Sequence, residues 1–204
     1  MTHLRYYLLT CFFLLMLACG QQSQLEPLQS DDTILAFGDS LTFGVGTSRQ
    51  LSYPSVLQEI TGLSVINAGV SGNTTEDGLR RIDKALAEHT PALVILCLGG
   101  NDFLRKKPTE LTKRNLLTLI DKIKQSGSQV VLIAVPAFGI FLGDAELYAE
   151  IAEQTQVALL KDVLSDYLSD KTLKSDTIHL NAQGYRKLAE AIKDFLIARG
   201  ALVK

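Results

Sequence analysis

The sequence predicts an α/β fold, a parallel sheet with helices packed on both of its faces. Three observations carry that expectation. Residues 33–37 (TILAF), 63–67 (LSVIN), 93–98 (LVILCL) and 130–135 (VVLIAV) are short apolar runs rich in Val, Ile and Leu. Their hydrophobicity is continuous rather than alternating, which is the pattern of strands buried on both faces. Segments with apolar residues at helical spacing separate them, and strict alternation of strand and helix calls for parallel pairing through right-handed crossovers.

After the first strand, residues 54–61 form the first long helical segment, and the second strand follows at 63–67. The helix expected over 75–89 points a stripe of Leu79, Ile82 and Leu86 inward and turns Arg80, Arg81, Asp83, Lys84 and Glu88 to water. Residues 109–125 repeat that pattern between the third and fourth strands. Residues 145–170 read as a helix followed by a short fifth strand around 157–160, in preference to one long helix. A last helix over about 182–199 stops at Gly200. With 204 residues, 47% of them hydrophobic and 21% charged, the chain has the size and balance of one domain.

Composition also excludes several functions. Twenty Lys and Arg against 22 Asp and Glu give a formal net charge of −2, so no bulk positive field exists to hold a nucleic acid. Cysteines at 11, 19 and 97 and three histidines are too few and too scattered for a disulfide framework or a metal site. Neither a G-x-x-x-x-G-K-[ST] loop nor a strand-adjacent G-x-G-x-x-G is present, which sets aside nucleotide and flavin binding.

The N-terminus is a separate unit. Arg5 precedes an uncharged apolar run, residues 6–18, too short to span a bilayer, which needs about 20 residues. The run ends in Leu17-Ala18-Cys19-Gly20, small residues around a cysteine where a secretory signal would be cut. This resembles a bacterial lipoprotein signal. It implies a signal peptide over 1–18, lipidation of Cys19, a polar tether over 19–32 and a folded domain over 33–204. The chain is then expected to be exported and anchored through Cys19 on the periplasmic or cell-surface side of a membrane.

In a parallel sheet, ligands meet the chain at the C-terminal ends of the strands. The loops there are the least ordinary parts of this sequence: 37–46 after the first strand, 67–74 after the second, 98–102 after the third, and 175–181 before the last helix. They offer a serine, an imidazole and a carboxylate. A serine hydroxyl becomes a useful nucleophile when an imidazole takes its proton, and the imidazole needs a carboxylate to fix its tautomer. His3 belongs to the signal and His89 ends a charged helix, which leaves His179 as the base. Asp176, three residues earlier, can reach one of its ring nitrogens, and Ser40 stands at the end of the first strand. The backbone amides around Ser40 and Gly72, with the Asn101 side chain, are the donors an oxyanion would need.

Four blocks, Gly38-Asp39-Ser40-Leu41, Gly72, Gly99-Gly100-Asn101-Asp102 and Asp176-Thr177-Ile178-His179, together resemble the GDSL or SGNH hydrolases, closely their bacterial arylesterase, acyl-thioesterase and lysophospholipase branch. The resemblance runs from about Thr33 to the C-terminus. It implies a three-layer α/β/α sandwich with a mostly parallel, flavodoxin-like sheet and a catalytic triad of Ser40, His179 and Asp176. It also implies an oxyanion hole from the amides of Ser40 and Gly72 and the side chain of Asn101, no metal or organic cofactor, and a small acyl ester, thioester or lysolipid as substrate. The G-x-S-x-G elbow of the α/β-hydrolases is absent, since Gly38-Asp39-Ser40-Leu41-Thr42 ends in Thr.

The loop after the fourth strand is apolar where relatives often carry polar, aromatic or basic residues. Phe138, Ile140, Phe141 and Leu142 either line an acyl site or pack back onto the core. Two other functions stay open at this point: a carbohydrate O-deacetylase built from the same four blocks, and a catalytically silent lipoprotein.

Overall fold

The computed structural model describes residues 23–137 and 143–203. The expected signal segment, Cys19, and the loop residues Phe138, Ile140, Phe141 and Leu142 lie outside the described residues. Five parallel strands form the sheet: β1 (Thr33–Gly38), β2 (Ser64–Gly69), β3 (Leu93–Cys97), β4 (Gln129–Ile133) and β7 (Ala158–Leu160), in the order β2-β1-β3-β4-β7. From β1 the chain steps outward to β2 and then crosses back to β3, so Ile34 pairs with Val65 on one side and Leu93 on the other. The strand order therefore reverses between β1 and β3, the place where open α/β sheets bind ligands.

Helices cover both faces. On one, α2 (Tyr53–Thr61) packs against α8 (Ala182–Ala198); on the other, α3 (Thr75–His89), α5 (Thr109–Gln125) and α6 (Leu147–Thr155) pack side by side. Burial between the layers explains the unbroken apolar strands, since β3 is buried at all five positions. The helix α3 starts where the sequence placed it because Thr74 and Asp77 form a reciprocal capping box.

Several elements differ from expectation. The apolar runs 93–98 and 130–135 outlast their strands: Leu98, Ala134 and Val135 are buried beyond the strand ends, with Ala134 still donating its amide to the Leu160 carbonyl of β7 at 2.9 Å, since hydrophobicity reports burial rather than strand length. Two one-turn helices, α1 (Ser40–Phe43) and α4 (Gly100–Leu104), occupy strand-end loops, and α7 (Val163–Ser169) follows the fifth strand. A two-residue pair, β5 (Pro136–Ala137) and β6 (Gly143–Asp144), pins together the ends of the 138–142 loop.

Within the expected 19–32 tether, the described residues 23–32 include contacts that its polar composition did not suggest. The Leu25 and Leu28 amides donate to the carbonyls of Arg199 and Ala201, 2.9 Å each, just beyond the end of α8. Leu25 is only 9% exposed, and Glu26 and Gln129 exchange two hydrogen bonds. Carbonyls left free past a helix end take any available donor, and two leucines gain from burial, so this segment lies on the domain.

Candidate active site

The Ser40 loop is built by close packing. A Cβ on Gly38 would fall 2.1 Å from Thr42 Oγ1 and 2.5 Å from the Cys97 carbonyl oxygen, so only glycine lets β1 turn here. Asp39 then caps α1, its Oδ1 accepting from the Leu41 amide at 3.0 Å, and Ser40 opens the helix. Among the described residues neither the Ser40 amide nor the Gly72 amide has a hydrogen-bond acceptor, so both remain available as donors. Arg105 Nη2 donates to the Gly72 carbonyl oxygen at 2.9 Å and steadies that peptide.

The loop that carries Asp176 and His179 is held locally. Asp176 Oδ1 accepts from the amides of Ile178 and His179, 2.8 Å each, while Oδ2 lies 2.8 Å from His179 Nδ1. An ionised carboxylate only accepts, so Nδ1 carries the proton and donates it. Nε2 then presents a lone pair to Ser40, whose Oγ is 3.0 Å away. The sequence separates Ser40 from His179 by 139 positions, and the fold closes that gap. Burial raises the Asp176 carboxyl, but the bonds from the His179 ring and the two amides together outweigh it and hold the group below its ordinary value.

Asn101 stands beside Ser40, in a shallow depression also lined by Leu41, Leu104, Val135 and Ile178. Its Nδ2 donates to the Asn73 carbonyl oxygen at 3.0 Å and reaches Asp39 Oδ2 at 3.3 Å. The contact to Asp39 is the weaker of the two, since hydrogen bonds near the upper distance limit are weak. Asp102 is a fastening: buried, it accepts from the Thr75 amide and hydroxyl at 2.9 and 2.7 Å and ties α4 to the start of α3. No group of three or more His, Cys, Asp or Glu is gathered to hold a metal ion among the described residues.

Arg81 corrects the sequence reading. Instead of facing water, its guanidinium stacks 3.8 Å above the Phe37 ring. It donates to Gly38 O at 2.7 Å, Ala68 O at 2.9 Å and Asn73 Oδ1 at 2.7 Å. One side chain thus joins the ends of β1 and β2 to the loop whose Asn73 carbonyl holds Asn101. The available signal was local: position 81 shares its side of α3 with Gly78 and Ala85, small residues that leave room for a guanidinium to fold inward. Asp39 was named only as part of a motif. It is 3% exposed, and burial pushes its carboxyl up to about 6 despite the Leu41 hydrogen bond.

Known proteins resemble this chain in sequence and in fold. An arylesterase of Vibrio mimicus is 32% identical over 180 residues, which cover 83% of this chain and 90% of that protein. A protein of Escherichia coli K12 named thioesterase 1/protease 1/lysophospholipase L1 is 32% identical over 167 residues, 78% of this chain and 80% of that protein. The crystal structure of TesA superposes with a TM-score of 0.75 at 28% identity, over 82% of this chain and 99% of that one. The psychrotrophic esterase EstA from Pseudoalteromonas gives 0.74 at 26% identity, over 82% and 98%. The model of the GDSL-like lipase/acylhydrolase family matches residues 36–187. That span takes in the Ser40, Gly72, Asn101 and His179 loops alike, and the chain belongs to this family.

Proposed function

We propose that Ser40 is the nucleophile of this ester-cleaving serine hydrolase, with His179 as its general base and Asp176 as the group that orients the imidazole. The observation that carries the assignment is the continuous run of contacts, Asp176 Oδ2 to His179 Nδ1 at 2.8 Å and Nε2 to Ser40 Oγ at 3.0 Å. His179 Nε2 takes the Ser40 proton as Oγ attacks the carbonyl carbon of an ester or thioester. The carbonyl oxygen gains negative charge and is held by the amides of Ser40 and Gly72 and by Asn101 Nδ2. The tetrahedral intermediate collapses, the imidazolium protonates the departing alcohol or thiol, and an acyl-enzyme remains. Water, deprotonated by the same imidazole, then releases the acid and restores Ser40.

The depression around Ser40 supports an acyl substrate over a sugar. Leu104 and Ile178 add apolar side chains beside Ser40 and Asn101, and Val135 leads into the run of Phe138, Ile140, Phe141 and Leu142, which we assign to the acyl chain. Relatives named arylesterase and thioesterase/lysophospholipase fit the same substrate range. We further propose that Cys19 is acylated and anchors the protein, on the strength of the Leu17-Ala18-Cys19-Gly20 pattern behind a short apolar run.

An alkyl fluorophosphonate followed by peptide mass spectrometry tests the nucleophile: the label is expected on Ser40 alone. Ser40→Ala or His179→Ala should each lower kcat by about 10⁴–10⁶-fold with an unchanged melting temperature. Retention of most activity in Ser40→Ala refutes the assignment.

A further inference from the structure

We propose that the mouth of the active site is a docking face for an anionic lipid surface, which the protein touches with an apolar rim and three unpaired cations while Ser40 draws acyl substrate from it. The inference rests on the acyl-substrate reading above and adds the surface that delivers the substrate.

Five large hydrophobic side chains stand exposed among the described residues, and four of them, Phe43, Leu51, Val70 and Leu104, lie at the end of the domain that carries Ser40. Short steps tie each to Ser40. Phe43 ends α1, the helix that Ser40 opens. Val70 follows β2, and its amide donates to the Gly38 carbonyl oxygen at 3.1 Å. Leu104 lines the depression around Ser40. Leu51 closes the single 3₁₀ turn Arg49–Leu51, whose arginine stands 5.3 Å over the Phe43 ring. Exposed apolar side chains are ordinary when scattered, but gathered on one face and edged with charge they mark a surface that something covers.

The charge comes from Arg49, Arg105 and Lys106. Arg49 Nη2 donates to the Asn67 carbonyl oxygen at 3.0 Å and Arg105 Nη2 to that of Gly72 at 2.9 Å, so the two guanidinium groups hold either end of the loop whose middle carries Val70. None of the three cations is in an ion pair among the described residues. The carboxylates at the start of α3 are engaged elsewhere, Glu76 with Arg80 and Lys107 and Asp77 with Arg80, and Asp176 holds His179. With a formal net charge of −2, the molecule as a whole is repelled by an anionic leaflet, and it is attracted through a face where basic groups stand unpaired.

The position of the rim selects its occupant. A protein seated there would close the mouth over Ser40 and stop turnover. A lipid layer instead supplies what the depression accepts, since an acyl chain lifted from it reaches Leu104 and Ile178 without crossing water. Aliphatic side chains interspersed with Arg and Lys are also the composition that settles at the headgroup boundary.

The chain has no tryptophan, so a single introduced one reports alone. Leu51→Trp and Val70→Trp place it on the rim. The helix α8 begins just past His179, and Val203→Trp places the reporter beyond its other end, at a position 92% exposed. Each full-length variant is mixed with phosphatidylcholine vesicles, with and without phosphatidylglycerol, that carry a brominated phosphatidylcholine as quencher. On vesicles with phosphatidylglycerol, emission from positions 51 and 70 is expected to move to the blue and to be quenched, and emission from 203 to stay unchanged. Arg49→Gln combined with Lys106→Gln should lower the docked-to-undocked ratio at positions 51 and 70 about 25-fold, at roughly fivefold per basic group. Raised salt should act in the same direction, while hydrolysis of soluble p-nitrophenyl acetate keeps the parental rate.

An absence of quenching at 51 and 70, or quenching equal to that at 203, overturns the docking face. Quenching as strong without phosphatidylglycerol overturns the anionic surface. Blue emission at 51 and 70 before lipid is added means a rim already covered by protein, and overturns the lipid assignment. The acyl-substrate reading fails separately, through a parent chain that cleaves acetylated sugars and not acyl esters, whatever the quenching pattern.

Discussion

Asp39 and Ser40 sit on a buried strand end, whereas Asp176 and His179 sit on an exposed loop, and the two halves of the site are held by different forces. Around the nucleophile the constraint is packing. A Cβ on Gly69 would fall 2.1 Å from the Phe43 backbone nitrogen, and one on Gly44 would fall 2.6 Å from Ser52 Cβ, so β1, β2 and α1 meet almost backbone to backbone. Around the base the constraint is a local turn, in which a single carboxylate takes two amides and one ring nitrogen. The aspartates record the difference. Asp39 is 3% exposed and its carboxyl is pushed up to about 6 by burial; the Asp176 side chain is 51% exposed and is held below the ordinary range by its hydrogen bonds, which outweigh its desolvation. Changes that add bulk to the packed glycines on the buried side should therefore cost stability, and changes to the exposed carboxylate should cost rate alone.

Asp176→Asn is the sharpest separation of the two. Its retained oxygen can still accept from the Ile178 and His179 amides, but the new NH₂ faces Nδ1 and favours the wrong tautomer. Turnover of an activated ester should fall by about 10²–10⁴-fold, with a melting temperature close to that of the parent. Gly69→Ala should do the reverse. The added methyl collides with the α1 backbone, an overpacking of roughly 3 kcal/mol, which lowers the melting temperature by about 10 °C for a domain of this size. An unshifted melting temperature would remove packing as the force that holds the nucleophile.

Arg81 bridges the two regimes, since it is partly buried yet bonded to Asn73, whose carbonyl accepts from Asn101. It is a positioning residue. Burial lowers its guanidinium to about 10 against the pull of Asp39 and Asp77, still well above the working pH of an esterase. Arg81→Met should lower kcat about 10- to 100-fold through displaced donors and leave KM nearly unchanged. Arg81→Lys should recover part of that loss. A change confined to stability, with kcat intact, would reduce Arg81 to a structural clamp.

The smallest effect concerns pH. The folded Asp39 value, about 6, exceeds the ordinary 3.8, so between those values the folded chain binds more protons than the unfolded one. The contribution of this group to stability is therefore greatest below about pH 4 and is lost as pH rises through 6, by on the order of 1–3 kcal/mol. Asp39→Asn does not titrate, and the difference between variant and parent in urea midpoints should change across that window alone.

Much of this was legible in the sequence because it is local. The limits of α3 and α5 match the helices read from spacing, the Ser40 loop announced itself by residue type at a strand end, and the His179 loop by an Asp and a His three residues apart just before the last helix. Interactions that depend on distant partners were not legible. Leu25 and Leu28 read as part of a polar tether because their acceptors, Arg199 and Ala201, lie at the far end of the chain. Arg81 read as solvated because an arginine on an amphipathic helix usually is, and its acceptors are carbonyls of two strands brought together by the fold. The one-turn helices α1 and α4 are too short to show a period, and the burial of Asp39 follows from the strands and helices around it, which no local pattern records.

The four-residue turn from Asp176 to His179 also bears on how such a chain can change over generations. Because two backbone amides and one ring nitrogen converge on a single carboxylate, the separation of acid and base is set by covalent connectivity and does not depend on how the rest of the molecule is arranged. Codons can be gained or lost in the surface connections between β1 and residue 175 without disturbing that pair, provided that the sheet still delivers Ser40. One codon gained or lost between 176 and 179 breaks it outright. Surface connections are thus free to drift in length while this segment is confined to substitutions at its two middle positions.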